Sequence, residues 1–112
     1  MQRRDFLIAM AAAGLQLRSA GANDKESDKW GDVLPRRAFG RTGEQVTMLG
    51  VGGFHIGWTT EKDAQAVIEA AIEEGVRFFD TAEGYANGRS EERYGKYLVP
   101  KYRDDIYLMT KT

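Results

Sequence analysis

The chain has 112 residues, with 16 Lys and Arg against 17 Asp and Glu, a net charge of −1, one His and no Cys. Without Cys there is no disulfide framework, no thiolate nucleophile and no cysteine-based zinc site, and one imidazole alone makes a poor metal site; the near-neutral balance lacks the basic excess of a dedicated nucleic-acid binder. An apolar share of 42% with 11% aromatics belongs to a globular chain, and the length allows one small domain.

Residues 1–22 differ in kind from the rest. Arg3 and Arg4 precede a short apolar run, and a small-residue A-x-A pattern ends at Ala22, the order of an export signal cut after that residue. The run is about a dozen residues, short of the ~20 that span a bilayer, so no permanent membrane span is expected. Arg3-Arg4-Asp5-Phe6-Leu7 resembles the twin-arginine (Tat) signal, R-R-x-F-L before an Ala- and Gly-rich core, although Gln2 stands where Ser or Thr is usual and Arg18 falls late in the run. That resemblance implies a protein that folds in the cytoplasm, is passed to the Tat export machinery and ends in the periplasm. The leader carries three arginines against one aspartate, which leaves residues 23–112 with a net charge of −3. Residues 23–33, polar apart from Trp30 and Val33, read as a linker.

From residue 34 the chain becomes regular. Two β-prone runs, 34–39 and 46–51, flank Gly40-Arg41-Thr42-Gly43 and predict a hairpin, with Pro35 at the start of the first arm where its missing N–H does least harm. Gly50, Gly52, Gly53 and Gly57 then predict a flexible loop holding Phe54, His55 and Trp58. Thr59-Thr60 supplies an N-cap for a helix whose apolar face is Ala64, Val67, Ile68, Ala71 and Ile72, and Gly75 stands at the C-terminal cap. Val76 to Phe79 reads as a strand ending at Asp80-Thr81-Ala82. After a loop over 83–89, Ser90 is expected to cap a short helix through Tyr94 and Leu98, stopped by Pro100, before a further strand over 106–109. Strands alternating with helices on short connections are the α/β class, with a parallel sheet.

Asp80, Tyr85 and Lys111 then fall at or just beyond the C-terminal ends of predicted parallel strands, the edge where α/β folds bind ligands. A tyrosine is a poor proton donor near neutrality, with an ordinary pKa of about 10, and a neighbouring ammonium favours its phenolate. A carboxylate beside the ammonium holds it charged and in place, so the three make a workable general-acid device. Taken singly, Asp80 is as easily a turn cap, Tyr85 a surface tyrosine and Lys111 a solvated charge; their joint order favours chemistry.

Val76-Arg77-Phe78-Phe79-Asp80-Thr81-Ala82-Glu83-Gly84-Tyr85 and Thr110-Lys111-Thr112 resemble the aldo-keto reductases, as do the Phe39-Gly40-Arg41-Thr42-Gly43 turn, Leu49-Gly50-Val51-Gly52-Gly53 and Gly88-Arg89-Ser90-Glu91. The likeness runs over residues 34–112 and implies a (β/α)8 TIM barrel that reduces small carbonyl substrates with NADPH, or NADH, and no metal. Such a barrel takes roughly 250 residues. The expectation is therefore its N-terminal portion: the hairpin, about three strands and two helices, inactive alone, with the family's catalytic His after the next strand having no counterpart. By resemblance Tyr85 is the general acid, Lys111 the cation that tunes it and Asp80 the partner of Lys111. Gly52, Gly53, Phe54 and Asp80 are the expected cofactor contacts, the glycines by close backbone approach, and His55 and Trp58 the expected substrate rim. Gly50-x-Gly52-Gly53 lacks the third glycine of a dinucleotide fingerprint. Two other readings stay open: a cofactor-binding regulatory barrel subunit without significant catalysis, and a truncated product with no function of its own. Oligomeric state is not legible in the sequence.

Overall fold

The computed structural model describes residues 25–112; the export-signal reading of residues 1–22 lies outside them. The segment expected as a linker is structured from Ser27 onward. Strands β1 (Ser27–Asp28) and β2 (Gly31–Asp32) pair antiparallel, and the reason is that the segment's polar groups have partners in the body. Asp28 accepts both Nε and Nη2 of Arg77, at 2.8 and 3.0 Å, while Trp30 stands edge-on to Tyr102 with centroids 4.7 Å apart and donates its indole N–H to Asp105 at 2.9 Å. Arg77 itself is fully buried, with Nη1 donating to the Ile72 and Val76 carbonyls. A buried guanidinium needs a counter-charge, and residue 28 supplies it.

Strands β3 (Arg36–Ala38) and β4 (Gln45–Thr47) form the expected hairpin, Arg36 opposite Thr47, with Gly40 and Gly43 at positive φ in the turn. The second arm is shorter than its apolar run. The chain bends at Met48 to Gly50, and Val51 pairs instead in parallel with Phe79. Gly50 makes this possible by lying flat on Phe78, whose ring would be 2.9 Å from a Cβ there. The run 46–51 thus serves two sheets.

The expected flexible loop is one helical turn, α1 (Phe54–Trp58). Next comes α2 (Glu61–Glu73), capped by Thr60, which accepts the Asp63 N–H at 3.1 Å. Its buried face is Ala64, Ile68 and Ile72, a stripe at i, i+4, i+8; Val67, expected on that face, is 46% exposed because the stripe is narrower than the composition suggested. At its end Gly75, φ +92°, donates to the Ile72 carbonyl and Val76 N–H to that of Ala71, the paired bonds of a Schellman cap.

Strand β5 (Phe78–Asp80) pairs in parallel with β6 (Tyr107–Met109) in the register Phe78 to Tyr107 and Asp80 to Met109. Between them lie a tight turn at Tyr85–Gly88, α3 (Arg89–Tyr97), α4 (Val99–Tyr102) and a 3-10 turn at Arg103–Asp105. Two expectations fail here. Ser90 does not cap α3 but sits inside its first turn, fully buried, and bonds across to other elements. Pro100 does not end the helical region: it occupies the first turn of α4, where a missing N–H costs nothing.

Alternation along β5 separates two environments. Phe79 points into a core of Ile56, Ala64, Ile68, Ile72, Val76, Tyr94, Leu98 and Tyr102. Phe78 faces the other way, into an aromatic group with Phe39 and Tyr107 whose centroids are 5.5 to 6.1 Å apart. That group packs at the N-terminal end of the paired residues, where Phe78 stands opposite Tyr107. Within the core the Tyr94 hydroxyl is buried without a hydrogen-bond partner among the described residues, and burial pushes its pKa up so that it stays neutral. Tyr94→Phe deletes an unsatisfied polar atom and keeps the edge-on packing against Phe79. The expected result is a gain of about 1–2 kcal/mol in urea denaturation; a loss of stability would reveal a partner for the hydroxyl.

Among the described residues no helix is long and apolar enough to cross a membrane, and no group of His, Asp and Glu could hold a metal ion.

Candidate active site

The sheet ladder carries the site. Beyond the last paired residues the two segments stay in register, Thr81 N–H donating to the Met109 carbonyl at 2.8 Å and Glu83 N–H to that of Lys111 at 2.9 Å. Side chains alternate along a strand, so Lys111, two residues past Met109, falls on the face that Asp80 shares with Met109. Its ammonium donates to Asp80 Oδ1 and lies 5.1 Å from the Tyr85 ring centroid. The structure therefore brings Asp80, Tyr85 and Lys111 together.

The Asp80 carboxylate raises the pKa of Lys111 above its ordinary value, with a smaller contribution from Tyr85. The sign follows: the ion pair is complete below the usual lysine range and is lost only as pH climbs past the raised value. Lys111 stays half-exposed, with 44% of its side chain in contact with solvent.

Tyr85 is delivered by a strained turn. Its N–H bonds to the Ala82 carbonyl at 3.2 Å, and the next residues, Ala86 and Asn87, both adopt left-handed backbone at φ 52° and 56°, followed by Gly88 at 93°. Consecutive non-glycine residues in that region cost of order 1–3 kcal/mol each and persist only where packing imposes them. Here Ala86 is buried against Gly57, where a Cβ would stand 2.7 Å from the Ala86 methyl, and its carbonyl accepts Arg89 Nε.

The expected rim residues stand beside this turn on α1. Phe54 meets the Tyr85 ring edge-on at 5.5 Å, lies 5.2 Å from His55 and 6.1 Å from Trp58, and Trp58 in turn carries the Arg89 guanidinium at 5.4 Å. Phe54 and Trp58 are about half exposed. His55 meets Phe54 edge-on. Gly53 seats α1 on the end of β5: a Cβ there would lie 2.1 Å from the Asp80 carbonyl oxygen. Gly52, by contrast, faces open space and lines a cavity of about 310 Å3 with Gly50, Val51, Phe78, Asp80 and Met109.

Sequence reasoning missed Ser90 and Arg93 here, and Asp28 and Arg77 behind. Ser90 Oγ donates to the Gly53 carbonyl at 2.8 Å and lies 2.7 Å from Thr81 Oγ1, which joins the start of α1 to the residue after Asp80. The Arg77 signal was readable: a charged residue inside Val76-Arg77-Phe78-Phe79 demands a partner.

Comparison with known proteins gives a consistent answer. Residues 48–112 match the Aldo/keto reductase family. D-threo-aldose 1-dehydrogenase from a Pseudomonas species is 37% identical over 78 residues, covering 66% of this chain and 24% of that protein. A probable voltage-gated potassium channel subunit beta from Oryza sativa subsp. japonica is 39% identical over 81 residues, covering 65% of this chain and 24% of that one. Among solved structures, an aldo-keto reductase from Bacillus halodurans in its holo form superposes with a TM-score of 0.65 at 33% identity, over 70% of this chain and 26% of that one. The chain thus spans about a quarter of the length of the relatives it matches.

Proposed function

The chain belongs to the aldo/keto reductase family, and from that premise we propose that the protein carrying it reduces aldehydes or ketones to alcohols with NADPH or NADH, on the N-terminal portion of a (β/α)8 barrel. The observation that supports this most is the Lys111 ammonium held between the Asp80 carboxylate and the Tyr85 ring at the C-terminal end of the parallel strands. In the proposed reaction the Tyr85 hydroxyl protonates the carbonyl oxygen, Lys111 favours the phenolate that remains, and Asp80 keeps Lys111 charged and aimed.

The residues present fit the flat, reactive end of a nicotinamide cofactor. The cavity beside Asp80 has bare backbone at Gly50 and Gly52, with Phe78, Val51 and Met109 as apolar walls, and its size is at the lower end of small-molecule sites. Bound there, the cofactor would supply the hydride. Gly52 would allow close backbone approach, Asp80 and Phe54 would border it, and Phe54, His55 and Trp58 would form the rim over the substrate. Gly53 is committed to packing on β5, so its part is to seat α1. A Tat leader over residues 1–22 completes the proposal: folding before export, then the periplasm.

The rice relative's description as a channel subunit favours one second reading, a cofactor-binding barrel with regulatory duty and no significant turnover. The deciding measurement follows NADPH absorbance with a panel of aldehydes and ketones, using the protein that carries this chain. Turnover upholds the reductase; saturable NADPH binding without turnover favours the regulatory reading; neither binding nor turnover rejects both.

A further inference from the structure

We propose that Arg93 is a positioning residue that fixes the Phe54 and Trp58 ledge beside Tyr85, and so sets a preference for carbonyl substrates bearing a flat apolar group; the substrate preference rests on the reductase reading above. The ledge needs an external hold. Helix α1 has five residues, too few to sustain itself, yet it presents two large apolar rings that are 49% and 56% exposed.

The hold comes from α3, at both ends of α1. At the start, the buried Ser90 hydroxyl donates to the Gly53 carbonyl at 2.8 Å. At the finish, Arg93 Nη1 donates to the Ile56 and Thr59 carbonyls at 2.5 and 2.7 Å. Those are acceptors that a helix C-terminus leaves unsatisfied, at its negative end, where a cation is favoured. Ser90 and Arg93 are three apart on one helix and so share a face. Through Thr81 the same face also grips the residue next to Asp80. One rigid element therefore spaces the ledge from the strand end, and Phe54 at 5.5 Å from Tyr85 is the product of that spacing. A substrate ring laid on Phe54 and Trp58 would have its carbonyl held near the Tyr85 hydroxyl, whereas a small aliphatic carbonyl would not use the ledge.

The test uses the protein carrying this chain as wild type, Arg93→Leu and Arg93→Lys, with benzaldehyde and propanal as substrates, and hydrogen exchange at the Thr59 amide, which donates to the His55 carbonyl at 2.8 Å. Arg93→Leu is expected to raise KM for benzaldehyde about tenfold, leaving kcat for both substrates and KM for propanal within about twofold. Thr59 exchange should quicken about tenfold, and Arg93→Lys, which keeps a cationic donor, should recover most of both effects. Equal changes for the two aldehydes, or unchanged KM and exchange, would overturn the proposal. If wild type reduces neither aldehyde nor any other member of the aldehyde and ketone panel, the reductase reading falls and takes the substrate preference with it. Exchange then still decides the hold itself: acceleration in Arg93→Leu upholds it and unchanged exchange overturns it.

Discussion

Tyr85→Phe is expected to lower kcat for aldehyde reduction by about 10²- to 10⁴-fold, the range for losing a positioned general acid, with NADPH affinity unchanged. The substitution removes one oxygen and leaves the ring, so the edge-on contact with Phe54 and the ammonium above the ring both survive. Folding should be affected by no more than about 0.5 kcal/mol, as for a change away from the core. Lys111→Met should cost less in rate than Tyr85→Phe, because the hydroxyl remains but the phenolate loses its cation and Asp80 loses its partner. Initial rates at saturating NADPH, with a thermal melt as control, decide the matter. Activity of Tyr85→Phe within about threefold of wild type would move proton donation to another group.

The second large effect is on stability. Asp28→Ala strips the carboxylate from a guanidinium with no solvent exposure, and an uncompensated buried charge costs about 3–5 kcal/mol. The double change Asp28→Ala with Arg77→Leu should recover much of that loss, since removing both charges leaves no orphan. The pH dependence has a definite sign. Hydrogen bonding from Arg77 depresses the Asp28 pKa below its ordinary 3.8. Its stabilisation is therefore present above that ordinary value and is lost as pH falls through the lower folded value. Wild type should lose stability below about pH 4 more steeply than the double variant. Urea denaturation from pH 2 to 7 measures both effects, and a single variant as stable as wild type would mean that Arg77 finds another anion.

Local chemistry explains which features were legible in the sequence. The hairpin turn, α2 with its Thr60 and Gly75 caps, and the two parallel strands were readable because period, cap residues and glycines all act within a few positions. The convergence of Asp80, Tyr85 and Lys111 was readable as three polar residues at strand ends, although the ladder bonds that aim Lys111 appear only in the folded register. The linker reading failed because Asp28 looks solvent-seeking and Trp30 an isolated apolar exception until residues 49 and 75 positions away claim them. Ser90 was misread for a related reason: a serine at a helix start is normally a cap, and only the packing of α1 turns its hydroxyl outward to Gly53. The extra helical turn at residues 54–58 was masked by glycines whose purpose is tight packing, Gly53 on β5 and Gly57 on Ala86.

The docking of β1 and β2 also bears on the order of events during synthesis. A ribosome releases residue 28 long before residue 77, and residue 30 long before residue 105, yet the bonds that secure this hairpin join those positions. Closing such separations is entropically costly and comes late relative to local structure. The strap immediately following the proposed leader is thus among the last pieces to be tied down. An export receptor that engages the leader only beside a settled hairpin would, by that contact alone, be sampling chains in which Arg77 and the turn at Arg103–Asp105 are already in place.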